Sequence, residues 1–178
     1  MQINYVELGA GDILRYQKGL MELIQDAVAD GASIGFIAPM SDEDAHAYWQ
    51  TVQGAVADNG KVIFIALDEH GRVAGSIQLG FATFPNGHHR AEVQKLLVHR
   101  DYRNRGIAKT LLKMIEQKAH DLDKWLLVLD TVEGSLAQGL YLRSGYTQAG
   151  IIPEYALSSA GPYEATVVFY KKLSQPNK

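Results

Sequence analysis

Apolar positions recur along this chain with two different periods, and the places where the period changes mark its elements. Ile3 to Leu8 reads as a first strand. From about Asp12 to Asp30 the residues Ile13, Gln17, Leu20, Ile24 and Ala27 keep the spacing of one helix face, and Gly31 ends that helix. Ala32 to Met40 is a loop with Gly35 and Pro39. Ser41 then caps a second helix, with acids in its first turn and Ala45, Tyr48, Val52 and Val56 inward, stopping near Asn59-Gly60. Lys61 to Leu67 is almost continuously apolar, as in a strand covered on both faces. A turn at Asp68-Glu69-His70-Gly71 leads to a strand that alternates cleanly, with Val73, Gly75, Ile77, Leu79 and Phe81 on one side. After a loop around Pro85-Asn86-Gly87, Val93 to Val98 is a strand. A helix from about Gly106 to Asp121 follows, with Ile107, Leu111, Leu112, Ile115 and Ala119 on one face. Trp125 to Thr131 is a buried strand and Ser135 to Arg143 a short helix; strands at Tyr146–Gly150 and Thr166–Leu173 close the chain.

The order β-α-α-β-β-β-α-β-α-β-β implies an α/β fold with a mixed, partly antiparallel sheet and about four flanking helices. At 178 residues and 47% apolar, the chain suits one domain over residues 1–173, with 174–178 as a frayed tail. A formal charge of −3 argues against nucleic-acid or anionic-membrane binding. No run approaches the ~18 apolar residues of a membrane helix, and Met1 to Leu8 has neither a basic nor an apolar leader region. A cytoplasmic protein is expected. The absence of cysteine excludes disulfides, thiolate metal sites and a cysteine nucleophile. His88-His89 and Asp42, Asp44, His46 lack metal-ligand spacing, so no metal is expected. Trp49 and Trp125 read as core or interface residues.

The chemistry concentrates after the strand Val93–Val98. Arg103-Asn104-Arg105-Gly106-Ile107-Ala108-Lys109 joins that strand to the amphipathic helix. A glycine opening a helix lets the backbone fold closely around an anion, with the first free N–H groups and the positive end of the dipole facing it. Arg100, Arg103, Arg105, Lys109, Lys113 and Lys118 outnumber Asp101 and Glu116 there. A basic helix mouth in an acidic protein points to a small, strongly negative ligand. No Gly-Lys-Ser/Thr follows, and the three glycines of a dinucleotide fingerprint are missing.

The phrase Arg103-x-x-Gly106-x-Ala108, with Leu96-Leu97-Val98 before it, resembles the acyl-CoA pyrophosphate loop of the GNAT superfamily of N-acetyltransferases. The element order matches that superfamily over nearly the whole chain. Ala137-x-x-x-Tyr141-x-x-x-Gly145-Tyr146 is similar to the family phrase whose tyrosine faces the CoA sulfur. The resemblance therefore implies acetyl-CoA as cosubstrate, held by Leu96, Leu97, Val98, Arg103 to Lys109 and Ser135. It also implies that Tyr141 protonates or hydrogen-bonds the departing thiolate, and that a splay or bulge at Leu96-Leu97-Val98 leaves the Val98 N–H to stabilise the oxyanion. A phenol near pKa ~10 and a thiol near ~8.5 share a proton at a cost of ~2 kcal/mol. Where family members often carry asparagine before the tyrosine, this chain has Gly134.

Direct transfer to an amine needs a proton acceptor. Glu92, which begins the strand before the loop, and Asp130, near the end of a buried one, are the candidates for base and ammonium anchor; a part-buried Asp130 would have a raised pKa. Ala91 to Leu96, Leu129-Asp130-Thr131 with Gly134-Ser135, and Phe169 to Leu173 resemble the tabtoxin resistance subgroup, which implies an amino-acid-like toxin as acceptor. The loops Ser33–Met40 and Ile151–Pro162 would line the amine pocket. The expectation is acetyl transfer to a small-molecule primary amine in a ternary complex, with a possible homodimer. A peptide or protein N-acetyltransferase and a non-catalytic acyl-CoA-binding module remain the alternatives.

Overall fold

Seven strands form one sheet in the order β1-β2-β3-β4-β5-β7-β6, seen in a computed structural model that describes residues 2–158 and 161–175. Pro176, Asn177 and Lys178 of the expected tail, and Ser159 and Ala160 of the expected loop, lie outside the described residues. The elements are β1 (Asn4–Glu7), α1 (Ala10–Arg15), α2 (Gln17–Ala29), α3 (Asp42–Ala57), β2 (Lys61–Leu67), β3 (Val73–Phe81), β4 (Arg90–Val98), α4 (Ile107–Asp121), β5 (Leu126–Val132), α5 (Leu136–Arg143), β6 (Thr147–Leu157) and β7 (Tyr163–Lys172).

The first predicted helix is two helices. Gly9 caps α1, where the Asp12 carboxylate accepts from the Gly9 N–H at 3.0 Å, and the chain leaves helical geometry at Tyr16 before α2. Among the described residues five α-helices therefore flank the sheet instead of about four. The Ser41 cap forms as read, accepting from the Asp44 N–H at 3.0 Å.

β3 departs from clean alternation between a core face and a solvated one. Ile77 and Leu79 pack into the core under α4, and Ser76 and Gln78 on the opposite face are fully buried too. Helices α2 and α3 cover that second face, so β3 is a central strand whose polar side chains need partners inside the protein.

Burying Ile107, Leu111, Leu112 and Ile115 seats α4 on the sheet, on the order of 6–12 kcal/mol before entropy is counted. The seat is close: a Cβ at Gly75 would lie 2.7 Å from the Leu97 carbonyl oxygen and 3.2 Å from Ile107 Cγ2.

Strand β6 runs well past Gly150, into the segment read as a loop. It is the sheet edge, where Pro153 lacks no ladder bond it would need, and the register with β7 breaks between Ile152 and Ala156 around Glu154 (φ 50°).

Candidate active site

Strand β4 is antiparallel to β3 along its length but parallel to β5 over only three pairs, Arg90↔Leu126, Ala91↔Leu127 and Glu92↔Val128. Beyond Glu92 the two strands separate, and the sheet is split. The irregularity expected at Leu96-Leu97-Val98 sits slightly earlier. Gln94 pairs with Gln78 and Leu97 with Ser76, so Lys95 and Leu96 form a bulge, with Lys95 left-handed at φ 49°. The Ser76 hydroxyl donates to the Lys95 carbonyl at 3.2 Å and holds the bulge from β3. After it, the His99 N–H donates to the Ala74 carbonyl at 3.0 Å. Strand alternation therefore turns the Val98 N–H to the other edge, into the split.

From Val98 the chain passes through a 3-10 turn (Arg100–Tyr102) to Gly106, the cap of α4. Gly106 is left-handed at φ 77°, and a Cβ there would meet no protein atom within 4 Å. Bare backbone and the unbonded N–H groups of Ile107, Ala108 and Lys109 thus open onto free space. Asn104 is left-handed as well, at φ 61°.

The arginines of this loop are less available than a count of charges suggests. The Arg100 backbone N–H donates to Asp26 at 3.0 Å, and its guanidinium pairs with the same carboxylate. Arg103 pairs with Asp30 at 2.6 Å and donates from Nε to the Val98 carbonyl at 3.3 Å. Arg105 donates to the Asp101 carbonyl at 3.0 Å and lies 5.7 Å over the Tyr102 ring. Tyr102 in turn donates to buried Asp68 at 2.8 Å. These bonds brace the loop against α2 and the β2–β3 turn. Further positive charge lines a cleft of about 390 Å³ between α4 and the end of α5, from Lys109, Lys113 and Arg143, beside the ion pair of Lys171 with Glu116 at 2.8 Å. Arg143 escaped the sequence reading because nothing local marks it; only the folded chain brings the end of α5 to the same cleft as α4.

Tyr141 of α5 is buried, 5.6 Å from the Tyr146 ring and 6.1 Å from Phe169. Its hydroxyl has no hydrogen-bond partner among the described residues. Burial first, and the charge of Asp130 second, push its pKa above the usual phenol value. Ser135 caps α5, accepting from the Gln138 N–H at 3.2 Å and lying 3.2 Å from the Thr131 hydroxyl.

The pattern predicts a part-buried Asp130 with a raised pKa; the structure leaves it exposed. Leu127 and Leu129 take the core face of β5, and Asp130, alternating with them, takes the other, accepting from the Thr166 hydroxyl at 2.7 Å. Glu92 is exposed as well and is the third residue of β4, not its first. Asp130 is nevertheless felt from both faces. Its charge reaches Tyr141 in α5, and together with Glu92 it reaches Lys95 in the bulge. The split thus gathers a protonated phenol, two carboxylates, a free-standing backbone N–H and an open helix N-terminus.

A sequence profile of the acetyltransferase (GNAT) family matches residues 20–146. Among solved structures, an N-acetyltransferase from Staphylococcus aureus Mu50 superposes with a TM-score of 0.80 at 19% identity, covering 98% of this chain and 100% of that one. A GNAT superfamily phosphinothricin acetyltransferase from Sinorhizobium meliloti, solved in complex with AcCoA, gives 0.79 at 19% identity over 100% and 95%. A ribosomal-protein-alanine N-acetyltransferase from Brucella melitensis gives 0.77 at 20% identity over 97% and 100%. At these identities the superpositions speak for the fold.

Proposed function

The chain belongs to the acetyltransferase (GNAT) family, and on that premise we propose that it moves an acetyl group from acetyl-CoA directly to the primary amine of an amino-acid-like small molecule. The observation that carries the reading is the split between β4 and β5, with Tyr141 on one face and Glu92 and Asp130 on the other. The residues present fit acetyl-CoA: open space over Gly106, free N–H groups at the start of α4, and the lysine- and arginine-lined cleft beside it suit a polyanion. When bound there, it supplies the activated acyl group.

The chain's own residues have separate tasks. The loop Arg103 to Lys109 and the Lys109–Lys113–Arg143 cleft hold phosphates. Leu96, Leu97, Val98 and Ser135 line the path of the arm, and the Val98 N–H polarises the thioester carbonyl. Glu92 and Asp130 attract the substrate ammonium and receive its proton. As the new C–N bond forms and the C–S bond breaks, the electron pair passes to sulfur, which takes a proton from Tyr141. The raised pKa keeps that phenol protonated through neutral pH. It also makes it a hydrogen-bond donor to the thiolate before it is a proton donor.

The phosphinothricin acetyltransferase among the structural neighbours supports an amino-acid-like acceptor. Exposed Ile151, Ile152, Tyr155 and Tyr163 on the β6–β7 edge support a homodimer, which sedimentation would test. The main test is thiol release from acetyl-CoA with a thiol-reactive dye, across a panel of amines, beside calorimetry of acetyl-CoA binding. The chain has no cysteine, so the dye reads only CoA. Amine-dependent release is expected; failure to bind acetyl-CoA would sink the reading.

A further inference from the structure

The sheet face that looks away from α4 carries cations for which acetyl transfer itself has no use. Lys61 opens β2, Gln78 lies within β3, Gln94 and Lys95 lie in β4, and Tyr48 reaches over from α3. Gln78 is fully buried. Its amide oxygen accepts from Lys61 Nζ at 2.8 Å and from the Tyr48 hydroxyl at 3.1 Å, and its amide nitrogen approaches the Tyr48 oxygen to 2.9 Å. Lys61 Nζ donates also to the Gln94 amide oxygen at 2.6 Å. Lys95 Nζ sits 5.9 Å from the centre of the Tyr48 ring.

Two neutral amide oxygens hold the Lys61 ammonium, and neither Lys61 nor Lys95 forms an ion pair with any described residue. Burial, with the Lys95 charge second and Glu92 opposing, pushes the Lys61 pKa down to about 8. Burial likewise lowers Lys95, against the charges of Glu92 and Asp130. A half-buried cation whose nearest carboxylates stand beyond ion-pair distance is unfavourable, and an anion that brings its own charge into contact relieves it. Both amide oxygens already face Lys61, so the Gln94 amide nitrogen is left as a further donor. A cleft of about 410 Å³ is lined by Lys61, Gln94, Arg90, Glu92 and Val128 at the foot of the split; Lys95 stands beside that lining, toward Tyr48, with its charge reaching Lys61.

We propose that Lys61, Lys95 and Gln94 form a seat for an anionic group, a carboxylate or phosphinate, carried by the acceptor. The acceptor is then a zwitterion whose anion lies on the lysines while its ammonium faces Glu92 and Asp130. A polyamine would add cations beside two lysines that form no ion pair with any described residue, and an amine carrying no anion would leave them so. The inference rests on the acetyl-transfer reading and names the substrate class of that same site.

The test pairs acids with analogues that lack the anion. Thiol release is measured with methionine, glutamate and phosphinothricin, and with methioninamide, 3-(methylthio)propylamine, spermidine and a short C-terminally amidated peptide without acidic side chains. Calorimetry follows N-acetylmethionine against its carboxamide, which needs no turnover. The acids are expected to exceed the amines lacking an anion in kcat/KM by about tenfold or more, and N-acetylmethionine to bind correspondingly tighter than its amide. Lys61→Met and Lys95→Met should raise the KM for the acid about tenfold, leave kcat and the acetyl-CoA Kd nearly unchanged, and abolish the preference for acid over amide. Lys95→Arg should restore it. Equal use of acid and amide, turnover of the polyamine or peptide alone, or equal binding of N-acetylmethionine and its amide would each overturn the seat. Absent acetyl-CoA binding with the acid preference intact would instead overturn the transfer reading alone.

Discussion

Replacing Gly106 by alanine separates the ligand cradle from the fold. Gly106 is left-handed at φ 77°, and the added Cβ would meet no protein atom within 4 Å. The only penalty within the protein is therefore conformational, about 1–2 kcal/mol for an L-residue in that region. At about 2–4 °C per kcal/mol for a chain of this size, the Tm should fall by about 2–8 °C. Gly71, in the β2–β3 turn, supplies a matched control, with the same φ of 77° and equally empty surroundings. Gly71→Ala should lose the same stability. The strain is present in free and bound protein alike, so it cancels from a dissociation constant. A change in Kd then reports the Cβ meeting the ligand. The acetyl-CoA Kd should rise at least about tenfold, or ~1.4 kcal/mol, for Gly106→Ala and stay within twofold for Gly71→Ala. Scanning calorimetry without ligand gives the first quantity and titration calorimetry the second. Equal Kd values for both variants and the parent, alongside the expected fall in Tm, would refute the cradle.

Tyr141→Phe should lower kcat by about 100-fold while the acetyl-CoA Kd stays within twofold, and undiminished turnover would remove its role as proton donor. Asp68→Asn should destabilise the fold by about 2–4 kcal/mol, because the carboxylate accepts from the His70 N–H, the Arg72 N–H and guanidinium, and the Tyr102 hydroxyl, all within 2.8–2.9 Å. Burial alone would raise the Asp68 carboxyl, but those four donors hold it well below the usual carboxylate range. The stability it contributes is thus complete above its unfolded pKa of about 3.9 and is lost as pH falls toward the folded value, so melts should show the gap between parent and variant closing below about pH 4. Gly75→Ala, whose Cβ would stand 2.7 Å from the Leu97 carbonyl oxygen, should cost about 1–3 kcal/mol in denaturant melts and weaken acetyl-CoA binding by displacing β4 from β3.

Periodicity made the strands and long helices legible because burial on one face leaves a trace that spacing records. Ile107, Leu111, Leu112, Ile115 and Ala119 are all buried where the helical pattern put them. The break at Tyr16 left no such trace, since Ile13 and Leu20 keep an inward face on either side of it. β6 was hidden by Gly150 and Pro153, which signal a turn in sequence yet fit an edge strand. In the candidate site, the loop glycine and Tyr141 stood out from a local phrase, and the structure places them at the cap of α4 and on the core face of α5. Arg143, Gln78 and Lys61 did not stand out, because the groups they meet come from separate elements and face them only after packing. Asp130 was misjudged for a related reason. A run of apolar neighbours says that a strand is buried, but alternation decides which of its residues share that burial.

The split in the sheet follows from the way β4 is held on its two sides. Against β3 it must stay in register, because Gly75 and Ile77 bring α4 close and Ser76 ties down the Lys95 carbonyl. Against β5 it is parallel, joined through α4, and the pairing needs only the three residues from Arg90 to Glu92. A bulge placed between those two demands raises the local twist of β4 and swings its upper half away from β5 while the β3 ladder resumes at Leu97. The Val98 N–H is then left facing open space and the Lys95 side chain is turned toward Tyr48. The same extra residue therefore accounts for both halves of the proposed site: the edge that we propose faces the thioester and the cation that we propose faces the acceptor.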